Sequence, residues 1–197
     1  MCRSNLKKHS LFFLISLLSI ILLTGCSSTS FIIQTDDFTL SDTGYIFKNI
    51  PFGSSANEIE SDLNCSLKSS GVEAADAPFE GYQSYTTENP IQFLDLEGSL
   101  DMQFTADGLY SITFNTSGED NLIQQAFSKS ELSYTQKFGE PIPSEASRTL
   151  GSVTYSIQQL RWNDTDTGTM LQLAYTTRSD DISILQIGVA KPPVITE

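Results

Sequence analysis

The chain has 197 residues, with 11 basic and 24 acidic side chains and a formal net charge of −13. That balance disfavours nucleic acid as a partner, because such binding rests on Lys and Arg neutralising phosphates. The one histidine is His9, so the rest of the chain lacks the imidazole of a Ser-His-Asp or Cys-His site and of an ordinary zinc site.

Arg3, Lys7 and Lys8 precede an apolar run from Leu11 to Leu23. A basic stretch followed by a short apolar core is the pattern of an export signal. A spanning helix needs about 20 apolar residues, more than this run offers. Leu23-Thr24-Gly25-Cys26 then resembles a bacterial lipobox, where a diacylglyceryl group is attached to the cysteine thiol and the chain is cut just before it. The resemblance implies that residues 1–25 are removed, that Leu23, Thr24 and Gly25 flank the cut, and that Cys26 carries the lipid. Two acyl chains suffice for stable anchoring. The implied location is the extracytoplasmic side of a membrane, held there through Cys26. Cleavage would remove three basic and no acidic residues, leaving 8 against 24 and a net charge of −16.

Residues 26–43 are rich in Ser, Thr and Asp and read as a tether. The triplet Phe31-Ile32-Ile33 is equally consistent with a first edge strand. Residues 44–193 have the size of one domain. With Cys26 lipidated, Cys65 has no partner for an intramolecular disulfide. The domain must therefore hold together by its core, and Cys65 reads as a small apolar side chain.

Ser55 and Glu58 form a capping box ahead of Ile59 and Leu63, which predicts a helix from Ala56 to about Asn64. Residues 66–80 read as loop. Tyr82 to Thr87 is a weak strand signal, and Ile91 to Glu97 is a stronger one ending at Gly98. Leu100, Met102 and Phe104 alternate with polar residues, as do Tyr110, Ile112 and Phe114, and Ala106-Asp107-Gly108 joins them as a hairpin over 99–116.

A second helix is predicted after Gly118, with Glu119 and Asp120 at its positive end. Ile123, Phe127, Tyr134 and Phe138 form its stripe, with Leu122 and Ala126 alongside. Leu132 lies opposite, which calls for a bend near Ser130 or a second buried face. Gly139 and Pro141 stop the helix. Val153, Tyr155 and Ile157 share one parity and Leu160 and Trp162 the other, so a bulge near Gln158-Gln159 is expected. Leu171 to Tyr175 and Ile182 to Val189 are the last two strands, and Pro192-Pro193 ends the domain.

The expected fold class is α+β: two helices packed on antiparallel sheet in the order αβββ-αβββ, with internal duplication as one reading of that order. Gly53-Ser54-Ser55-x-x-Glu58-Ile59-x-x-x-Leu63 resembles the helix-opening motif of small envelope lipoproteins of the β-lactamase-inhibitor-like and BamE-like type. Phe138-Gly139-Glu140-Pro141 resembles their helix-ending motif. The first helix departs from the pattern, ending in Asn64-Cys65 rather than Gly-x-Pro, and the second lacks the Gly-Ser opening. The resemblance implies a non-catalytic protein that binds an envelope protein through sheet and loop surfaces.

Asp164 and Asp166 stand in an Asp-x-Asp-x-Gly run, the alternation that calcium loops use. The acidic residue that an EF-hand needs beyond the Gly is missing, and a turn explains the same residues. Trp162, Tyr110 and Tyr155 read as core. Tyr82 and Tyr85 lie in a polar stretch and are the candidate binding surface. No cofactor motif is present. The function expected is a membrane-anchored, non-catalytic protein-binding or envelope-assembly module. The alternatives are a cell-wall hydrolase working with carboxylates alone and a solute-binding lipoprotein.

Overall fold

The structure is a computed structural model and describes residues 31–71 and 77–193. Leu23, Thr24, Gly25 and Cys26 lie outside the described residues. The expected α+β class is corrected: 54% of the described residues are in strands and 19% in helices, so the fold is mostly β.

Three short strands come first among the described residues: β1 (Phe31–Ile33), β2 (Phe38–Ser41) and β3 (Gly44–Phe47). Helix α1 (Ala56–Leu63) follows, then β4 (Leu67–Ser69), β5 (Gln83–Thr87), β6 (Ile91–Phe93), β7 (Leu96–Thr105) and β8 (Gly108–Glu119). Helix α2 (Asp120–Phe138) precedes β9 (Ile142–Leu150), β10 (Val153–Asp164), β11 (Thr169–Arg178) and β12 (Ile182–Ala190). Five strands therefore follow α1 and four follow α2 among the described residues. The αβββ-αβββ order does not hold, because short or exposed strands carry little hydrophobic pattern and escape a periodicity reading.

Ten strands form one sheet, with β1, β6, β7, β8, β12, β11, β10 and β9 in spatial order. β5 shares the edge of β7 with β6, and β4 pairs with β5. β1 runs parallel to β6, so the sheet is mixed rather than purely antiparallel. The Phe31–Ile33 stretch, open between tether and strand in the sequence, is this parallel edge. β2 and β3 form a separate hairpin.

Local chemistry explains the best-formed elements. Ser55 accepts from the Glu58 amide at 3.4 Å while Glu58 Oε2 accepts from the Ser55 amide at 2.7 Å, closing the capping box of α1. Asn64 ends that helix in the left-handed region, with φ of 49°. The single strand expected over 91–97 is two: Leu94 and Asp95, with φ of 47° and 67°, make a two-residue turn between β6 and β7. Such primed turns match the twist of hairpin strands. Gly98 does not end a strand but lies inside β7. A Cβ there would stand 2.2 Å from the Asn115 carbonyl oxygen.

Helix α2 packs on β8, β11 and β12, and β3 lies against β11 and β12. Ile123, Ala126, Phe127 and Tyr134 are buried under it. The helix runs unbroken from 120 to 138 and Leu132 is 60% exposed. The second buried face does not occur, and Leu122 is exposed as well. Ile59 and Leu63 of α1 join the same core as Phe38, Phe47, Phe114, Leu160 and Trp162. All of this apolar packing lies on one side of the sheet.

Candidate functional site: the uncovered face of the sheet

β10 pairs with β9 and with β11 in unbroken antiparallel register. The bulge expected near Gln158-Gln159 is absent. Its premise was that every apolar residue of this strand belongs to one core. Side chains alternate faces along a strand, and here both faces carry apolar residues. Leu160 and Trp162 face the helix and are 3% exposed. Val153, Tyr155 and Ile157 face the other way and are half-buried.

The register carries that second face across the neighbouring strands. Ile157 stands opposite Thr176, and Thr176 opposite Ile184. None of Val153, Tyr155, Ile157 and Ile184 packs against the core cluster. Leu150 on β9 and Ile182 on β12, both exposed, flank them. The expectation that Tyr155 is core is therefore corrected, whereas Trp162 is buried as expected. Tyr110 lies between the two cases, half-buried at the β7–β8 turn.

Charge is sorted onto the same face. Arg148, Arg161 and Arg178 are the only arginines among the described residues, and all three stand on it. Arg148 and Arg178 are both directly opposite Tyr155, one on each side. The Arg178 guanidinium lies 5.5 Å from the Tyr155 ring centre and its Nη2 donates to Asp180 at 2.6 Å. Towards β7 the face turns polar. Gln186 donates to Asn115 at 2.6 Å, and Asn115 donates to Asp101 at 2.8 Å.

Tyr82 and Tyr85 are not brought together. Tyr82 meets Phe79 edge-on at 5.5 Å, beside a cleft of about 690 Å³ lined by Phe52, Phe79, Tyr110, Pro192 and Pro193. Burial and, secondarily, the neighbouring Tyr82 push the Tyr110 phenol up to about 12. Tyr85 packs on Phe104 at 5.4 Å, on the core side of β5, and its hydroxyl donates to Gln83 at 3.3 Å.

Other polar constellations are occupied by structural bonds. Ser183 Oγ donates to Asp120 at 2.5 Å, and the Tyr175 hydroxyl donates to the same oxygen. These two bonds, Ser183 first, hold the Asp120 carboxyl below its ordinary value. A stabilised carboxylate is a weak base, so this trio pins the start of α2 to β11 and β12 rather than activating Ser183. Asp164 accepts from Thr167 at 2.5 Å and from the Asp166 amide at 3.2 Å, closing the β10–β11 turn. Cys65 is half-buried, and burial pushes its thiol up. Among the described residues no three His, Cys, Asp or Glu side chains come together to hold a metal.

Compared with protein-family models, curated proteins and solved structures, the chain matches none.

Sequence reasoning missed this face although its residues are legible. Two apolar parities on one strand mean either a bulge or two apolar faces. The unbroken alternation of Val153, Tyr155 and Ile157 was the signal for the second.

Proposed function

We propose that this chain is a lipid-anchored, extracytoplasmic, non-catalytic module that binds an envelope protein through the uncovered sheet face. The observation that carries this reading is the position of Val153, Tyr155, Ile157 and Ile184, apolar side chains on a face with no packing layer among the described residues. Fully burying one such side chain is worth roughly 1.5–3 kcal/mol, so the patch holds unused binding free energy. Its Tyr and Arg content is that of an interface hot spot, an apolar centre with a polar rim. The anchoring half of the reading rests on the lipobox resemblance at Leu23 to Cys26.

Site-specific photo-crosslinking in the producing cell tests the binding half. A benzophenone side chain at Ile157 is expected to give one discrete protein adduct, and the same probe at Leu132, on the helix side, is expected to give none. Arg178→Glu should abolish the Ile157 adduct. Equal adducts from both positions would rule the face out. Mass spectrometry of the N-terminus tests the other half: an unmodified Cys26 thiol on an uncleaved chain defeats lipid anchoring.

A further inference from the structure

β9 is a long free edge. It pairs with β10 along one side and with nothing among the described residues along the other. Eight of its nine residues are exposed. Ordering a residue's backbone costs about 1–2 kcal/mol, and this strand buries almost no side chain to offset that. An unpaired edge of this length is also a template for another strand.

The sequence of the edge says which strand fits. In an antiparallel pair about a twofold axis normal to the sheet, residues of equal parity stand opposite each other. Register centred on Ala146 sets Ile142 opposite Leu150 of the second copy, Ala146 opposite itself and Leu150 opposite Ile142. Ile142 and Leu150 are 52% and 48% exposed, and both stand on the uncovered face. Each charged residue then meets a serine: Arg148 faces Ser144 and Glu145 faces Ser147. Moving the axis by one residue towards the N-terminus puts Glu145 on Glu145. Moving it two residues the other way puts Arg148 on Arg148. A one-residue shift towards the C-terminus sets Ala146 against Arg148 and Ser144 against Leu150. Of the axes at residues 145 to 148, only the one at Ala146 pairs apolar with apolar and keeps like charges from facing each other, and an axis at Ser144 would pair five residues of each strand rather than nine.

We propose that β9 is a self-pairing edge, joining the sheet to that of a second copy about a twofold axis at Ala146. Ile157 of β10 stands directly opposite Ala146 of β9, so Ile157 and Ala146 of both copies form one apolar rung across the axis. Closed twofold pairing of this kind ends at a dimer and leaves no free β9 edge to propagate fibres. Glu145 and Arg148 serve on this view to disfavour the registers centred on themselves.

Disulfide trapping on the full chain in membranes tests it, with Cys2 and Cys65 replaced by serine as the parent. Directly opposed strand residues have Cα atoms about 4.5–5.5 Å apart, within disulfide range. Ala146→Cys is expected to give at least about tenfold more covalent dimer than Ser144→Cys, whose copies would stand ~13 Å apart at four residues of strand rise. Combining Ser144→Cys with Arg148→Cys should restore trapping. Equal trapping at 146 and 144 would indicate random collision and overturn the proposal. Light scattering of the unmodified full chain in detergent is the second readout. A dimer that Ala146→Arg converts to monomer supports the axis, and a monomer at every concentration refutes it.

Discussion

The indole Nε1 of Trp162 donates to the carbonyl oxygen of Gly139 at 2.8 Å. One bond thus ties the end of α2 to the C-terminal part of β10. Gly139 has φ of 85°, which turns the chain out of the helix and leaves its carbonyl free for the indole. The Trp162 ring also meets Tyr134 edge-on at 5.7 Å. The helix is thereby held on the face of the sheet that carries Leu160 and Trp162, and the opposite face is left without it.

Replacing that tryptophan should separate the bond from the packing. Trp162→Phe keeps most of the buried ring and removes the bond to the carbonyl of Gly139, an exposed residue, at a cost of about 0.5–1.5 kcal/mol. Trp162→Ala adds a cavity, and a loss of about 3–5 kcal/mol is expected. Urea denaturation followed by circular dichroism measures both.

The two faces of β10 should respond oppositely to the same substitution. Ile157→Thr keeps a β-branched side chain on an open face, and a change within about 0.5 kcal/mol is expected. Leu160→Thr puts a hydroxyl into the core and should cost at least about 2 kcal/mol. Similar losses at the two positions in thermal denaturation would mean that both faces are covered.

Acid should loosen the start of α2. The Asp120 carboxyl is held down by hydrogen bonds from Ser183 and then Tyr175. A folded-state value below the unfolded one, about 3.9 for aspartate, contributes stability that is present above that value. The contribution falls away as pH drops from there through the folded value. Asp120→Asn should therefore show a shallower loss of stability than the wild type below about pH 4, while differing from it by a constant amount near neutrality. Parallel acid limbs for the two proteins would contradict the linkage.

Gly98 should resist even the smallest side chain. Its backbone is not left-handed, so strain in φ plays no part. A methyl group would meet the Asn115 carbonyl oxygen at 2.2 Å and the Phe114 ring at 2.7 Å. Gly98→Ala is expected to cost about 1–3 kcal/mol or more through overpacking, whereas Gly151→Ala meets no atom within 4 Å and carries only the penalty of its positive φ. Comparing the melting temperatures of the two variants checks the difference.

The amino-acid sequence by itself determined the elements whose signals are local. The Ser55–Glu58 box starts α1, the alternation around Ala106-Asp107 makes the β7–β8 hairpin, and Gly139 stops α2. These depend on backbone caps, turn geometry and periodicity within a few residues. Only the tertiary structure decided which face of β10 is buried, that β9 exists at all, and that β1 runs parallel to β6. Alternation says which side chains share a face but not where a helix will land. An exposed edge strand has no buried partners to leave a hydrophobic trace, and a parallel pairing joins segments some sixty residues apart. The bare patch around Tyr155 and Ile157 follows from α2 seating on the other face of the sheet, a choice made by packing and not by the sequence of β10.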